Sequence, residues 1–258
     1  MDLMIDGLRV LVTAGANGIG LAIAEAFAEE GAWVHVCDMD RQALEALAAR
    51  RPDIGSSFCD VSDRDSVAGL FRDISDRLGG LDCLVNNAGI AGPTARVDQI
   101  DPDDWERTLA VNITGQFNCA RLAVPHLARS GNASIVNLSS AAGRLGFGLR
   151  TPYAASKWAV IGFTKSLSIE LAELGIRANA ILPGIVEGDR QDRVLAEKAK
   201  ASGRTLEEMK KEALARASVK EMVTPRQLAD AILFLASPRS RTTSGQAVSV
   251  CGDLQMLS

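Results

Sequence analysis

Short apolar runs alternate along the chain with longer stretches in which apolar residues return every three or four positions. The short runs predict strands over Arg9–Thr13, Trp33–Asp38, Ser56–Asp60, Cys83–Asn86, Ser134–Leu138, Arg177–Leu182 and Ala247–Val250. Most of them are apolar on both faces, as expected when helices cover both sides of a parallel sheet. The longer stretches predict helices. Gly18–Glu30 carries Ile19, Ala22, Ile23, Ala26 and Phe27 on one stripe, and Arg41–Arg50, Ser66–Leu78, Asp103–Ala128, Tyr153–Leu174 and Pro225–Ala236 have the same period. This α/β alternation with short connections predicts one doubly wound domain over residues 1–258, with a mostly parallel seven-stranded sheet.

One segment breaks the rhythm. Residues 184–224 carry no strand pattern, only two charged helical patches, Arg190–Ala201 and Thr205–Ala217, with Gly203 between them. That is too long for an ordinary connection. It reads as a helical lid over a site or as a decorated surface hairpin.

Composition narrows the function classes. The 258 residues are 47 % apolar, ample for a buried core, and the net charge of −4 comes without a basic block. Nucleic acid and anionic membranes are therefore not expected as partners. No apolar stretch approaches the roughly 20 residues that span a bilayer. Met1–Gly7 carries Asp2 and Asp6, unlike a signal peptide. Five scattered cysteines, an odd number, point to free thiols in a cytoplasmic protein and have no metal-site spacing. With only His35 and His126 available, a histidine-based metal site and a Ser-His-Asp hydrolase both lack their parts. No metal is expected.

The first strand runs through Thr13-Ala14-Gly15-Ala16-Asn17-Gly18-Ile19-Gly20 into a helix. Glycines there let backbone approach a pyrophosphate, which the positive end of the helix then holds. Such a Rossmann-type turn also needs an acid at the end of the second strand. Asp38 stands there, eighteen residues past Gly20, and accepts both ribose hydroxyls in this reading. A carboxylate repels a 2′-phosphate and no arginine follows it immediately, so NAD is expected rather than NADP.

The chain's single tyrosine, Tyr153, stands four residues before Lys157, and Ser140 lies thirteen residues upstream at the end of an apolar run. A phenol ionises near pH ~10 in water. An ammonium one helical turn away favours its anion. A serine hydroxyl can hold the oxygen whose proton the phenol exchanges.

Taken together, these motifs resemble the short-chain dehydrogenase/reductase family over almost the whole chain. The resemblance implies that Gly15, Asn17, Gly18, Ile19, Gly20 and Asp38 hold the cofactor and that Asp60-Val61 contacts the adenine. It further implies that Asn86-Asn87-Ala88-Gly89 supports the sheet and lines the cofactor cleft. Asn112 matches the family's helix asparagine that holds a water in a proton relay. Ser140, Tyr153 and Lys157 match the catalytic trio, with Lys157 also gripping the nicotinamide ribose. Pro183-Gly184 matches the turn beside the nicotinamide. Two positions depart from the family. Ala14 replaces a usual glycine, with Gly15 beside it supplying the flexibility. Gly188 replaces a threonine, leaving backbone groups of Ile185 and Val186 to meet the carboxamide.

The expected reaction is oxidation of a secondary alcohol, or the reverse. The substrate is expected to be small and polar, such as a sugar acid, a 2-keto-3-deoxy sugar acid or a hydroxy acid. Arg144, Arg150 and Arg190 are the candidates to hold its carboxylate; the alternative is that they are solvated or pair with Glu187, Asp189 or Asp192. Two other functions compete. One is a 3-oxoacyl thioester reductase, disfavoured by Asp38. The other is a nucleotide sensor that has lost the chemistry, disfavoured by the retained Asn112, Ser140, Tyr153 and Lys157. The resemblance also implies that the two long helices, Asp103–Ala128 and Tyr153–Leu174, pack against a second subunit of a homotetramer.

Overall fold

The inner strands divide their apolar side chains between two cores, one on either face of a single sheet. The computed structural model describes residues 2–188, 191–192, 195–196, 199 and 203–257. The strands are β1 (Arg9–Thr13), β2 (Trp33–Asp38), β3 (Gly55–Phe58), β4 (Cys83–Asn86), β5 (Ser134–Leu138), β6 (Arg177–Pro183) and β7 (Ala247–Val250). They form one sheet in the order β3-β2-β1-β4-β5-β6-β7, and every pairing is parallel. The helices are α1 (Gly18–Glu29), α2 (Arg41–Arg50), α3 (Arg64–Leu78), α4 (Pro102–Leu109), α5 (Gly115–Leu127), α6 (Thr151–Glu170), α7 (Leu206–Leu214) and α8 (Pro225–Ala236).

Val10, Val12, Val34, Val36, Val85 and Val136 pack against α1, α2 and α8. Their neighbours Leu11, Cys37, Leu84 and Ile135 face α3, α5 and the far end of α6. This is the period of two of a strand buried on both sides. The strand order reverses between β1 and β4, and the crevice beyond their carboxyl ends is where an open sheet of this type receives a ligand. Among the described residues, no helix is long and apolar enough to cross a membrane.

Several expected boundaries shift. The third strand runs Gly55–Phe58 rather than to Asp60, because the Asp60 carboxylate turns back to accept from Ser62 N and Oγ. The expected helix Asp103–Ala128 is α4, a π-helical turn over Ala110–Thr114, and α5. The wide turn coincides with Asn112, whose amide reaches across to Ile90. Helix α6 starts at Thr151, with Pro152 in its first turn, and passes into a 3₁₀ turn before Gly175. The outward faces of α5 and α6 carry exposed Phe117, Trp158 and Ile169. Of the excursion after β6, the structure describes a bridge from Val186 to Val223 at its base and α7, opened by a Thr205/Glu208 capping box. The expected helix Arg190–Ala201 lies largely outside the described residues.

All five cysteines are free and four are buried. His126 lies on Phe71 at 5.9 Å between centroids. His35, on β2, is fully buried, with Nε2 2.8 Å from Ser57 Oγ. Ser57 donates to Asp73 Oδ2 at 2.7 Å, so it accepts from His35 and the neutral ring carries its proton on Nε2. Burial first, then the nearby Arg77 charge, push His35 down to about 4, against an opposing pull from Asp73. The unfolded imidazole ionises near pH ~6.5, so between these values the unfolded chain binds more protons. The stability from the neutral ring is complete above that range and drains as pH falls toward 4, by about 3 kcal/mol in all. Urea unfolding at pH 7 and pH 4.5 should show this loss in the wild type and a smaller one in His35→Gln. Equal losses in the two proteins would refute the assignment.

Candidate functional site

At the end of β1 the chain makes the glycine-rich turn, and the structure corrects how it does so. Ala14 itself takes the left-handed conformation (φ +50°), whereas Gly15 does not. An alanine there costs about 1–2 kcal/mol. Gly15 is small for another reason: a Cβ on it would lie 2.6 Å from Val36 Cβ. Gly18 has φ +55° and nothing within 4 Å of where its Cβ would stand, so the backbone is open on that side. Gly20 is the opposite case. A Cβ there would lie 2.1 Å from the Ala14 carbonyl oxygen and 2.5 Å from Asn87 Nδ2.

The turn is stitched to the end of β4. Asn87 Nδ2 donates to the carbonyls of Thr13 and Ala14 at 2.9 and 3.0 Å. Thr13 Oγ1 accepts from the N–H groups of Asn87 and Ala88 at 2.9 and 3.0 Å. Asp38 closes β2, its Oδ2 accepting from Ala16 N at 3.2 Å and its Oδ1 from Asp40 N at 3.1 Å. Arg41, three residues on, is stacked on Phe58 with its guanidinium carbon 3.9 Å from the ring centroid. A backbone open at Gly18, above the start of α1, with a carboxylate on the next strand, fits a dinucleotide. Asp60 and Val61 follow β3, and the Val61 carbonyl accepts from Asn118 Nδ2 at 3.0 Å.

Helix α6 brings Tyr153 and Lys157 to the same end of the sheet. Its Lys157 is buried and donates from Nζ to the Leu138 carbonyl at 2.9 Å. Ser139 Oγ donates to the Lys157 carbonyl at 2.7 Å, which fastens the Ser140 turn to the helix. Ser140 Oγ accepts from Ala142 N at 3.1 Å. Lys157 Nζ lies 5.7 Å from the Tyr153 ring centroid. The helix is held to the sheet by a buried chain in which Asn86 donates to Asn137, Asn137 to Thr164, and Thr164 to the Val160 carbonyl.

Asn112 is fully buried, and both of its amide hydrogens are used. Oδ1 accepts from Ile90 N at 2.7 Å, and Nδ2 donates to the Ile90 carbonyl and to Ser156 Oγ, each at 3.0 Å. Ser156 Oγ donates in turn to the Tyr153 carbonyl at 2.7 Å. The side chain thus clasps the loop after β4, and its amide has no hydrogen left to donate to a relay water. Ser156 and Ser139 carry no sequence signal that marks them; their roles arise from packing alone. A Cβ on Gly89 would lie 3.3 Å from both Asn112 Oδ1 and Lys157 Nζ, so loop, π turn and α6 converge there.

Pro183 and Gly184 close β6, where a Cβ on Gly184 would lie 2.7 Å from Cys251 Cα. The Ile185 carbonyl already accepts from Val223 N at 2.8 Å, and Val186 sits in the bridge to Val223. Two of the three candidate arginines lie among the described residues. Arg144 donates to Ser249 Oγ at 2.9 Å, and Arg150 to the Ala91 carbonyl at 2.7 Å. Each guanidinium thus has an oxygen acceptor on the protein, Arg144 on the surface and Arg150 in a half-buried position. Arg190 lies outside the described residues. Among the described residues, no cluster of three or more His, Cys, Asp or Glu side chains is placed to hold a metal.

A family model described as enoyl-(acyl carrier protein) reductase matches residues 13–253. The 3-oxoacyl-(acyl-carrier-protein) reductase of Thermotoga maritima is 35 % identical over 254 residues, covering 97 % of this chain and 98 % of that protein. Two solved structures superpose closely. An NAD⁺-bound xylitol dehydrogenase has a TM-score of 0.90 at 29 % identity, covering 96 % of this chain and 99 % of its own. L-sorbose reductase from Gluconobacter frateurii, complexed with NADPH and L-sorbose, has a TM-score of 0.93 at 27 % identity over 98 % of each chain.

Proposed function

Because the chain belongs to the short-chain dehydrogenase/reductase family, oxidoreductases that interconvert alcohols and ketones with a nicotinamide cofactor, we propose that it is an NAD-dependent dehydrogenase of a small polar secondary alcohol. The observation that carries the cofactor reading is Asp38. Its carboxylate, anchored by Ala16 N and Asp40 N, is set to accept the ribose hydroxyls and to repel a 2′-phosphate. The nearby Arg41, whose charge could offset that repulsion, is stacked on Phe58.

The bound nicotinamide supplies a hydride acceptor for the carbinol carbon. Tyr153, as phenolate, takes the hydroxyl proton while Ser140 donates a hydrogen bond to the same oxygen. Lys157 keeps a positive charge beside the ring. Asn112 holds the Ile90 backbone and, through Ser156, the first turn of α6 in register. Ketone reduction runs the same steps in reverse.

For the substrate, the engaged Arg144 and Arg150 shift weight from a carboxylated alcohol toward an uncharged polyol or sugar, in keeping with the names of the two solved relatives. A second reading, reduction of a 3-oxoacyl thioester, is favoured by the Thermotoga relative. One panel separates them: polyols, sugar acids, hydroxy acids and a 3-hydroxyacyl thioester, each with NAD and NADP, followed at the reduced-nicotinamide band. The expected outcome is a polar alcohol with kcat/KM about tenfold or more higher for NAD, and an Asp38→Ser variant in which that preference collapses. Fastest turnover of the thioester with NADP would overturn the proposal in favour of the second reading.

A further inference from the structure

Arg150 is drawn into the protein at the point where three parts of the site meet. Its Nη2 donates to the Ala91 carbonyl at 2.7 Å. Its guanidinium carbon lies 5.4 Å from the Phe147 ring centroid and 5.5 Å from that of Tyr153. The residue before it, Leu149, is held at φ +62° with its carbonyl accepting from Ala95 N at 2.9 Å. A left-handed leucine persists only where its surroundings over-determine it. Ile90, adjacent to Ala91, is gripped at both its N–H and its carbonyl by Asn112. The loop after β4 is therefore clamped twice, by Asn112 from the π turn and by Arg150 from the start of α6.

We propose that Arg150 is a positioning residue for Tyr153, bracing the phenol ring against the Ile90–Ala91 backbone and adding a second positive charge beside it. The inference rests on Tyr153 being the proton-transfer group and replaces the idea that Arg150 grips a substrate carboxylate. A guanidinium within about 6 Å of an aromatic ring is attracted to it. The same charge is attracted more strongly to a phenolate than to a phenol, and so favours the form that accepts the alcohol proton. Arg150, ahead of α6, and Lys157, on it, each set a cation against the Tyr153 ring.

The test compares wild type, Arg150→Met and Arg150→Lys in two assays. The first is kcat and KM against pH, with a neutral and a carboxylated alcohol. The second is the ultraviolet tyrosinate titration, which reports Tyr153 alone because the chain has no other tyrosine. In Arg150→Met, kcat should fall about tenfold for both alcohols with KM nearly unchanged. The tyrosinate titration of Arg150→Met should be displaced from that of the wild type, and Arg150→Lys should recover most of the displacement. NAD affinity unchanged within threefold certifies the fold of each variant. A KM increase confined to the carboxylated alcohol would overturn the proposal in favour of a substrate grip. Unchanged kinetics and titration would make Arg150 a bystander. The titration needs no substrate, so it decides the matter even if the alcohol panel finds none.

Discussion

Replacing Tyr153 with phenylalanine is expected to lower kcat at least ~10³-fold while leaving the NAD dissociation constant within a few-fold. The substitution removes one oxygen and keeps the ring that Arg150 and Lys157 both approach. Nothing else in the site should move. Lys157 stays on the Leu138 carbonyl, and Asn112 stays on Ile90. What disappears is the only group in the proposed mechanism that exchanges a proton with the substrate oxygen. Ser140 can hold that oxygen, but a serine hydroxyl is too weak a base to take its place near neutral pH. The cofactor contacts proposed for the glycine-rich turn and Asp38 do not involve Oη. Stopped-flow turnover together with NAD titration by fluorescence reads both quantities, and near-normal kcat would sink the mechanism.

The second large effect is expected at Gly20. In Gly20→Ala the new methyl would stand 2.1 Å from the Ala14 carbonyl oxygen and 2.5 Å from Asn87 Nδ2. Neither is the loose end of a flexible chain. The first is backbone, and the second is the amide that holds Thr13 and Ala14 to β4. Either α1 moves away from β1 or the Asn87 bonds break. Alanine gains about 1 kcal/mol of helix propensity over glycine. Overpacking costs about 1–3 kcal/mol, so overall stability should change little or drop modestly. Binding should suffer far more, because displacing the start of α1 by ~1 Å misplaces every group meant to meet the pyrophosphate. A loss of about 100-fold in dinucleotide affinity is expected, measured by calorimetric titration on protein whose circular dichroism matches the wild type. Affinity within threefold would mean that the tight approach at Gly20 has no bearing on the cofactor.

Much of the site is legible without coordinates because its geometry is local. The four-residue step from Tyr153 to Lys157 lies on one helix, and the turn from Thr13 to Gly20 lies between adjacent elements. What escapes the sequence is direction. Asn112 reads as a helical asparagine, yet its amide points to a residue 22 positions back because the helix widens there. Arg150 reads as a solvent-facing cation near a substrate, yet it finds a carbonyl 59 residues away. Ala14 shows the limit most plainly. A neighbouring glycine invites the left-handed role, but close packing on Val36 has already claimed Gly15's missing side chain. Such choices are made by tertiary neighbours, and no local pattern carries them.

The bonds between Thr13 and the Asn87–Ala88 backbone join residues 74 and 75 positions apart. The turn proposed to receive the dinucleotide is therefore completed by residues far along the chain, not by its own local sequence. It comes into being only when β4, made long after β1, docks beside it. Cofactor and strand pairing then draw on the same event: whatever separates β4 from β1 dissolves the cradle, and a bound dinucleotide resists that separation in proportion to its concentration. The nucleotide pool of the cell becomes, in this way, part of what keeps the sheet closed.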